Sequence, residues 1–355
     1  MARISTVGTP SCGEGADQRR EPLEAALKLQ LDEFLVWDNH TYTTPSPGTR
    51  SIEELRRHFA AGFDVAFLNI GDADRSLEHV VRLASFYRRW IRGHESEFIL
   101  LDSVAEIDLA RATGRMAIAF DIEGAFCLGD QADIVELLYE LGVRWMALAY
   151  NRRNLVGSGV HDEVDGGLTP FGVLVADEMD RVGMIKCLSH TGYRTAMDVL
   201  ERSTKPCIFS HSNPRALWDH ERNIPDALIV ACAETGGVVG INGINIFLGD
   251  GSPTAESMVR SIDYVVELAG IDHVGLGFDS GYLSEGDIGD FLSDPAFWPE
   301  GNDYDKLIEC VPPESIGAIV EGLSELGYKP VDIAKVLGGN MRRVAERVWL
   351  PGHSG

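Results

Sequence analysis

Three histidines and two carboxylates fall where short apolar runs of this chain end. His40 follows FLVWD (34–38), Glu123 follows MAIAFD (116–121) and His190 follows GMIKCLS (183–189). His211 follows PCIFS (206–210), and Asp279 follows HVGLG (273–277). Imidazole nitrogen and carboxylate oxygen are the ligand set of a hydrolytic zinc site. Such a metal lowers the pKa of bound water to about 7 and polarises a carbonyl. A neighbouring carboxylate can then move the proton. One histidine after a strand is ordinarily a satisfied polar residue, and one aspartate there is ordinarily a helix cap. The weight lies in the joint pattern. His58, His79 and His94 fall in helical or loop stretches and are expected to be solvated; His161 sits in an acidic loop and His353 in the tail. No G-x-S-x-G elbow occurs, which argues against a serine hydrolase of that class.

The runs themselves must place these residues. With FDVAFLN (63–69), VRWMALA (143–149) and GVVGIN (237–242) they make eight, each too short for a helix and bounded by Gly, Pro or polar residues. Each reads as a buried strand. Helical patterns lie between most of them, over 51–61, 102–113, 131–141, 171–182, 193–203, 226–235 and 255–269, with 314–326 and 331–337 closing the chain. Eight strands alternating with helices predict an α/β fold of the (β/α)8, TIM-like barrel class. D-N-H-T-Y-T follows the first strand where a doubly wound dinucleotide fold has its glycine-rich turn. In such barrels the active site gathers at the C-terminal ends of the strands, which is where the histidines and carboxylates stand, together with Tyr150 and Asn151 after the fourth run. Residues 1–28 read as a flexible arm, and 29–355 as a single domain with a long Gly/Pro/Asp-rich loop at about 280–313. That loop is placed to cover the site. Its Trp298 is the tryptophan to watch, whereas Trp37, Trp145, Trp218 and Trp349 are expected in the core or an interface.

Composition narrows the partners. The 355 residues hold 55 Asp+Glu against 31 Lys+Arg, a net charge of -24, with 45% hydrophobic residues. That charge repels phosphate backbones and anionic membrane surfaces, so neither nucleic acid nor membrane is expected as a partner. No stretch approaches the ~20 apolar residues of a membrane span. The N-terminal stretch lacks the apolar segment of a secretory signal, and the six cysteines (Cys12, Cys127, Cys187, Cys207, Cys232, Cys310) show no C-x-x-C pairing. A reducing, cytoplasmic setting is the expectation.

The chain resembles the membrane (renal) dipeptidase family of zinc peptidases, within the amidohydrolase-type metal barrels. The resemblance is carried by I-E-G (122–124), L-G-V-R (141–144), G-G-L-T-P-F-G (166–172), L-S-H (188–190), S-H-S-N-P-R-A-L (210–217), H-E-R-N (220–223), G-I-D-H-V-G-L-G (270–277) and G-G-N-M-R-R-V (338–344), in this order. It implies a binuclear zinc centre in a homodimeric (β/α)8 hydrolase. His40 binds the first zinc on this pattern, Glu123 bridges, and His190 and His211 bind the second. Asp279 is the implied acid/base. Arg222 is the implied clamp for the substrate carboxylate, a task that suits a planar guanidinium.

Two positions depart from the pattern. The family's His-x-Asp reads His40-Thr41-Tyr42 here, so a carboxylate ligand is missing and the second metal is in doubt: one or two zinc ions are expected per chain. The family's substrate-facing histidine is replaced by Tyr150, whose phenol can donate a hydrogen bond in its place. Tyr42 and Tyr150 therefore join Arg222 as substrate-facing candidates, with Asp279, Glu123 and Tyr150 as catalytic ones. The resulting expectation is a metal-dependent hydrolase that cleaves a dipeptide or related small amide bearing a free carboxylate. The alternative is a diverged member with a single metal, doing lyase, isomerase or tailoring chemistry on a small carboxylate metabolite.

Overall fold

The structure, a computed structural model, describes residues 33–43, 51–249, 253–282 and 294–350. The expected arm at 1–28 and residues 283–293 of the expected long loop lie outside them.

The strands form one parallel sheet that closes on itself. In chain order they are β1 (Trp37–Thr43), β2 (Val65–Asp72), β3 (Phe98–Leu100), β4 (Met116–Glu123), β5 (Val143–Ala147), β6 (Ile185–Cys187), β7 (Ile208–Phe209), β8 (Val238–Asn242), β9 (Val274–Gly277) and β10 (Ser280–Tyr282). β9 pairs with β8 and β10 pairs with β1, both in parallel, so β9 and β10 act as two halves of one interrupted strand. Counted that way, the path β10-β1-β2-β4-β5-β6-β7-β8-β9 is a ring of eight, the (β/α)8 arrangement expected from the sequence. β3 pairs with the start of β4, below the point where the pairing of β4 with β5 begins at Phe120.

Local chemistry sets the helices. α1 (Leu55–Ala61) ends on left-handed Gly62. α2 (Leu77–Gly93) starts at Ser76, whose hydroxyl accepts from the His79 amide. α3 (Val104–Ala112) opens with a reciprocal Ser103–Glu106 capping box. After α4 (Ile134–Glu140), α5 (Pro170–Val182) has Thr169 as its cap and proline in its first turn, and stops at left-handed Gly183. α6 (Tyr193–Arg202), α7 (Asp226–Glu234), the short α8 (Asn245–Leu248), α9 (Ala255–Ala269), α10 (Ile316–Glu325), α11 (Pro330–Ala334) and α12 (Asn340–Val348) complete the shell.

Side-chain alternation divides the core in two. Ala66, Leu68, Ile118, Phe120 and Met146 point outward against the helices. Val65, Phe67, Ala117, Ala119, Trp145, Ile185, Ile208 and Val238 fill the barrel interior, closed below by Met341, Val344 and Trp349. The inward register turns polar toward the top: Ala117 and Ala119 give way to Asp121 and Glu123, Ile208 to Ser210, and Val238 and Gly240 to Asn242. Glycine is required where the top narrows. A Cβ at Gly240 or Gly277 would run into the Ser210 carbonyl, next to His211.

Some expectations are corrected. The first strand runs over 37–43 rather than 34–38, so His40 lies within it. The 17-residue α2 and the strands β3 and β10 were not expected. His58 is not solvated: it is fully buried.

Candidate metal centre

Four nitrogen and oxygen donors meet at the top of the barrel. Glu123 Oε1 lies 3.0 Å from His190 Nε2 and 3.0 Å from His211 Nε2, and these two nitrogens are 3.0 Å apart. His40 Nε2 is 3.4 Å from Glu123 Oε2 and 3.5 Å from Asp279 Oδ1. His40, Glu123 and His211 offer one donor each within 4.8 Å of one another. All four residues of the cluster are buried.

The backbone is bent to bring them together. By simple alternation His40 would face outward with Asp38, but the β1–β2 register shifts between Asp38 and Thr41, and the imidazole turns in. His190 (φ 64), Asn151 (φ 54) and Asp279 (φ 57) all sit in the left-handed region at strand ends. Non-glycine residues there carry strain, which persists where the surroundings hold it and gathers at functional sites.

Neighbouring groups fix the ring orientations. His190 Nδ1 donates to Asn151 Oδ1 at 2.7 Å, and His211 Nδ1 donates to Ser210 Oγ at 2.8 Å. His40 Nδ1 lies 3.2 Å from Asp121 Oδ1, which itself accepts from Asn69 Nδ2 at 2.9 Å. This assignment leaves each Nε2 lone pair aimed at the shared point, the tautomer that metal-ligating histidine takes.

The electrostatics ask for a cation. Burial, reinforced by Arg222 for His190 and by His40 for His211, holds the pKa of both rings below the usual imidazole range, so both are neutral. Burial opposes protonation of His40 as well, but Glu123 and Asp121 outweigh it and raise its pKa well above normal. Burial pushes the Glu123 carboxyl up, and the three imidazoles outweigh that and hold it well below its usual value. Buried Glu123 Oε1 and Asp121 Oδ2 have no hydrogen-bond donor. Lone pairs crowded to 3.0 Å without a proton between them fit an ion: donors about 2.0–2.1 Å from a tetrahedral zinc stand roughly 3.3 Å apart. The residues present therefore fit a metal.

The other expected residues line a cavity of about 130 Å³ above this cluster. Asp279 accepts from Asn242 Nδ2 through Oδ2 at 2.9 Å, which leaves Oδ1 toward His40. Arg222 is 3% exposed, and its guanidinium lies over Phe247 with Cζ 5.3 Å from the ring centre. Its Nη2 lies 3.0 Å from His190 Nε2 and donates to the His211 carbonyl at 3.5 Å, its Nε is buried without a hydrogen-bond partner, and among the described residues no carboxylate forms an ion pair with it. Tyr150 stacks on His190 with ring centres 4.3 Å apart. Burial pushes both Tyr150 and Tyr42 well up, so both phenols stay neutral.

Two supporting residues, His58 and His161, are not legible in the sequence, whereas Asp121 is, at the end of the MAIAFD run. His58 Nε2 donates to Asp38 Oδ2 at 2.9 Å and its Nδ1 accepts from the Tyr282 hydroxyl at 2.8 Å. Asp38 Oδ1 in turn accepts from the Phe278 amide at 2.9 Å and ties β1 to the residue before Asp279. His161, also buried, accepts from the Tyr304 hydroxyl at Nε2 and donates to Glu221 at Nδ1. Nothing in local sequence marks these long-range pairs.

A family model described as membrane dipeptidase (peptidase family M19) matches residues 25–297. Dipeptidase aclJ of Aspergillus oryzae is 31% identical over 259 residues, covering 71% of this chain and 57% of that protein. Dipeptidase verJ of Clonostachys rogersoniana is 33% identical over 244 residues, covering 67% of this chain and 62% of that protein. The chain thus spans little more than half the length of these relatives. Among solved structures, an amidohydrolase from Pseudomonas aeruginosa superposes with a TM-score of 0.83 at 27% identity, covering 91% of this chain and 99% of that one.

Proposed function

This chain belongs to the membrane dipeptidase family, and we propose that it is a metal-dependent hydrolase that cleaves a dipeptide or related small amide with a free carboxylate. The observation that carries the reading is the convergence of Glu123 with the Nε2 atoms of His190 and His211, 3.0 Å apart, beside a buried guanidinium that no carboxylate pairs among the described residues. His40, Glu123, His190 and His211 would hold the metal, zinc in this reading. Bound there, zinc would act as a Lewis acid and lower the pKa of water to about 7.

The remaining work falls to the chain. Asp121, Asn151 and Ser210 hold the three imidazoles in their ligating tautomers. Asp279 Oδ1 takes the proton of the attacking water and returns it to the leaving amine, while Asn242 steadies Oδ2. Arg222 receives the substrate carboxylate, a counter-charge that none of the described residues supplies to its guanidinium. Tyr150, kept protonated by burial, donates its hydroxyl hydrogen to the oxygen of the scissile carbonyl. Tyr42 is a neutral phenol where the family pattern has a carboxylate ligand, which supports one metal per chain rather than two. A homodimer follows the family resemblance. A cytoplasmic setting is supported by the free thiols of Cys127, Cys187, Cys207, Cys232 and Cys310. No helix among the described residues is long and apolar enough to cross a membrane.

A dipeptide panel with products identified by mass spectrometry tests the reading. Zinc-loaded protein is expected to release both amino acids, Asp279→Asn to lose roughly 10²–10⁴-fold in kcat, and Arg222→Met to lose chiefly in KM. Failure to release amino acids from any dipeptide would overturn it and favour the non-peptidase alternative that Tyr42 and Tyr150 suggest.

A further inference from the structure

Beside the two layers of the barrel core lies a third, small apolar cluster. Ile246, Phe247 and Tyr304 form it, with Ile244, Trp298 and Ile308 packed against them. All six also line the cavity above the candidate metal centre. They come from two segments, the stretch after β8 and the segment after residue 294. These are laced together by hydrogen bonds from Asn245 Nδ2 to the Leu307 carbonyl at 2.9 Å and from the Asn245 amide to the Glu309 carbonyl at 2.9 Å. From the facing loops, His220 Nε2 donates to the Asn302 carbonyl at 2.9 Å and Asn151 Nδ2 donates to the Phe297 carbonyl at 3.0 Å. The apolar wall is therefore held in place over the site before any ligand arrives.

The wall has a fixed relation to the Arg222 guanidinium in the cavity. Phe247 carries Arg222 on its face, and Tyr304 meets Trp298 edge to face at 4.8 Å. Trp298 in turn stands edge to face with Tyr150 at 5.7 Å. Arg222 lies over Phe247, and Tyr304 lines the same cavity, so a carboxylate bound to Arg222 would bring the substituent on its α-carbon to this wall. Among the described lining residues, the charged groups, Glu123, Asp279 and Arg222, are spoken for by the metal centre and the carboxylate. A charged side chain seated on the apolar wall would lose its hydration without a counter-charge. A large apolar one completes the cluster, and an aromatic ring meets the edges and faces it prefers.

We infer that the substrate residue carrying the free carboxylate bears a large apolar side chain, aromatic or branched aliphatic, bound by Phe247, Ile246, Tyr304 and Ile308. The inference rests on the proposed amide-hydrolase reading and adds the substrate class to it. Burying such a side chain is worth roughly 10- to 100-fold in affinity over glycine at that position.

Two measurements test it. Zinc-loaded Asp279→Asn, whose turnover is slowed roughly 10²–10⁴-fold, is titrated calorimetrically with Gly-Gly, Gly-Lys, Gly-Leu and Gly-Phe. Zinc-loaded wild type, Phe247→Ala and Ile308→Ala are assayed for kcat/KM on the same peptides. The inference expects Gly-Phe and Gly-Leu to bind at least about 10-fold tighter than Gly-Gly and Gly-Lys. It also expects each alanine variant to lose that preference, with kcat/KM for Gly-Phe and Gly-Leu falling to the level of Gly-Lys; Ile308→Ala, at a half-buried position, serves if Phe247→Ala does not fold. Equal affinity for Gly-Lys and Gly-Phe, or no binding of either, overturns it. A preserved apolar preference in binding, with no peptide cleaved by the wild type, sinks the hydrolase reading and leaves this inference standing.

Discussion

Asp121 touches His40 and is fully buried, and its carboxyl is pushed up to about 6 by burial, against the pull of the His40 imidazole. Its part is to orient the ring and raise its basicity. Asp121→Asn keeps the shape and removes the charge, and zinc affinity measured by competition with a chromophoric chelator is expected to fall roughly 10- to 100-fold. Unchanged affinity would remove Asp121 from the site. The ligand-type residues were legible because each follows an apolar run, and a period-two pattern continued past Ala119 reaches Asp121 and Glu123. His40 was legible by type but not by direction. Alternation alone points it outward, and only the register shift between Asp38 and Thr41 turns it in. His58 could not be read at all: its partners Asp38 and Tyr282 lie 20 and 224 positions away, and nothing local distinguishes it from an exposed helical histidine.

The segment from residue 294 to 311 is fastened over the cavity by loops that follow β5, β7 and β8. One fastening titrates. Burial pushes the His161 imidazole down to about 4, with Glu221 only partly offsetting it. An unfolded histidine has a pKa of about 6.5, so between these values the unfolded chain binds more protons than the folded one. Stability is then complete above about 6.5 and falls as pH drops toward 4. Thermal unfolding across that window is expected to show this slope, and His161→Gln to flatten it; an equal slope in both proteins would exclude His161. A loop is legible here, with Trp298 in it, because a Gly/Pro/Asp-rich stretch without helical period stands out. The amphipathic α2 is not legible in the sequence, and β1 reads as ending early because Asn39, His40 and Tyr42 look like loop residues. They are strand residues, and all three lie in the strand β1 of a closed barrel. The break between β9 and β10 at Phe278 and Asp279 was also hidden, since the strand resumes only for Ser280–Tyr282.

Across the whole molecule the net charge of -24 is an electrostatic load on the compact state. Screening relieves it: raising sodium chloride from about 0.01 M to about 0.2 M shortens the Debye length from roughly 30 Å to under 10 Å. The melting temperature is expected to rise by a few degrees over that range, and a fall would mean that attractive pairs outweigh the repulsion. The barrel itself was legible because eight short apolar runs alternate with helices, a pattern set by burial on both faces of a parallel sheet. What that pattern could not convey is how the ring concentrates opposite charge at one end, with Glu123, Asp121 and Asp279 set against three imidazoles and Arg222 inside a largely acidic molecule. The hydrolase reading depends on a metal completing that arrangement. It is tested by following dipeptide turnover as zinc is titrated back into chelator-treated protein. Turnover should vanish on chelation, return in step with zinc at one equivalent per chain, and stay absent in His190→Ala and His211→Ala. Turnover that survives chelation, or that either variant retains at full rate, would contradict it.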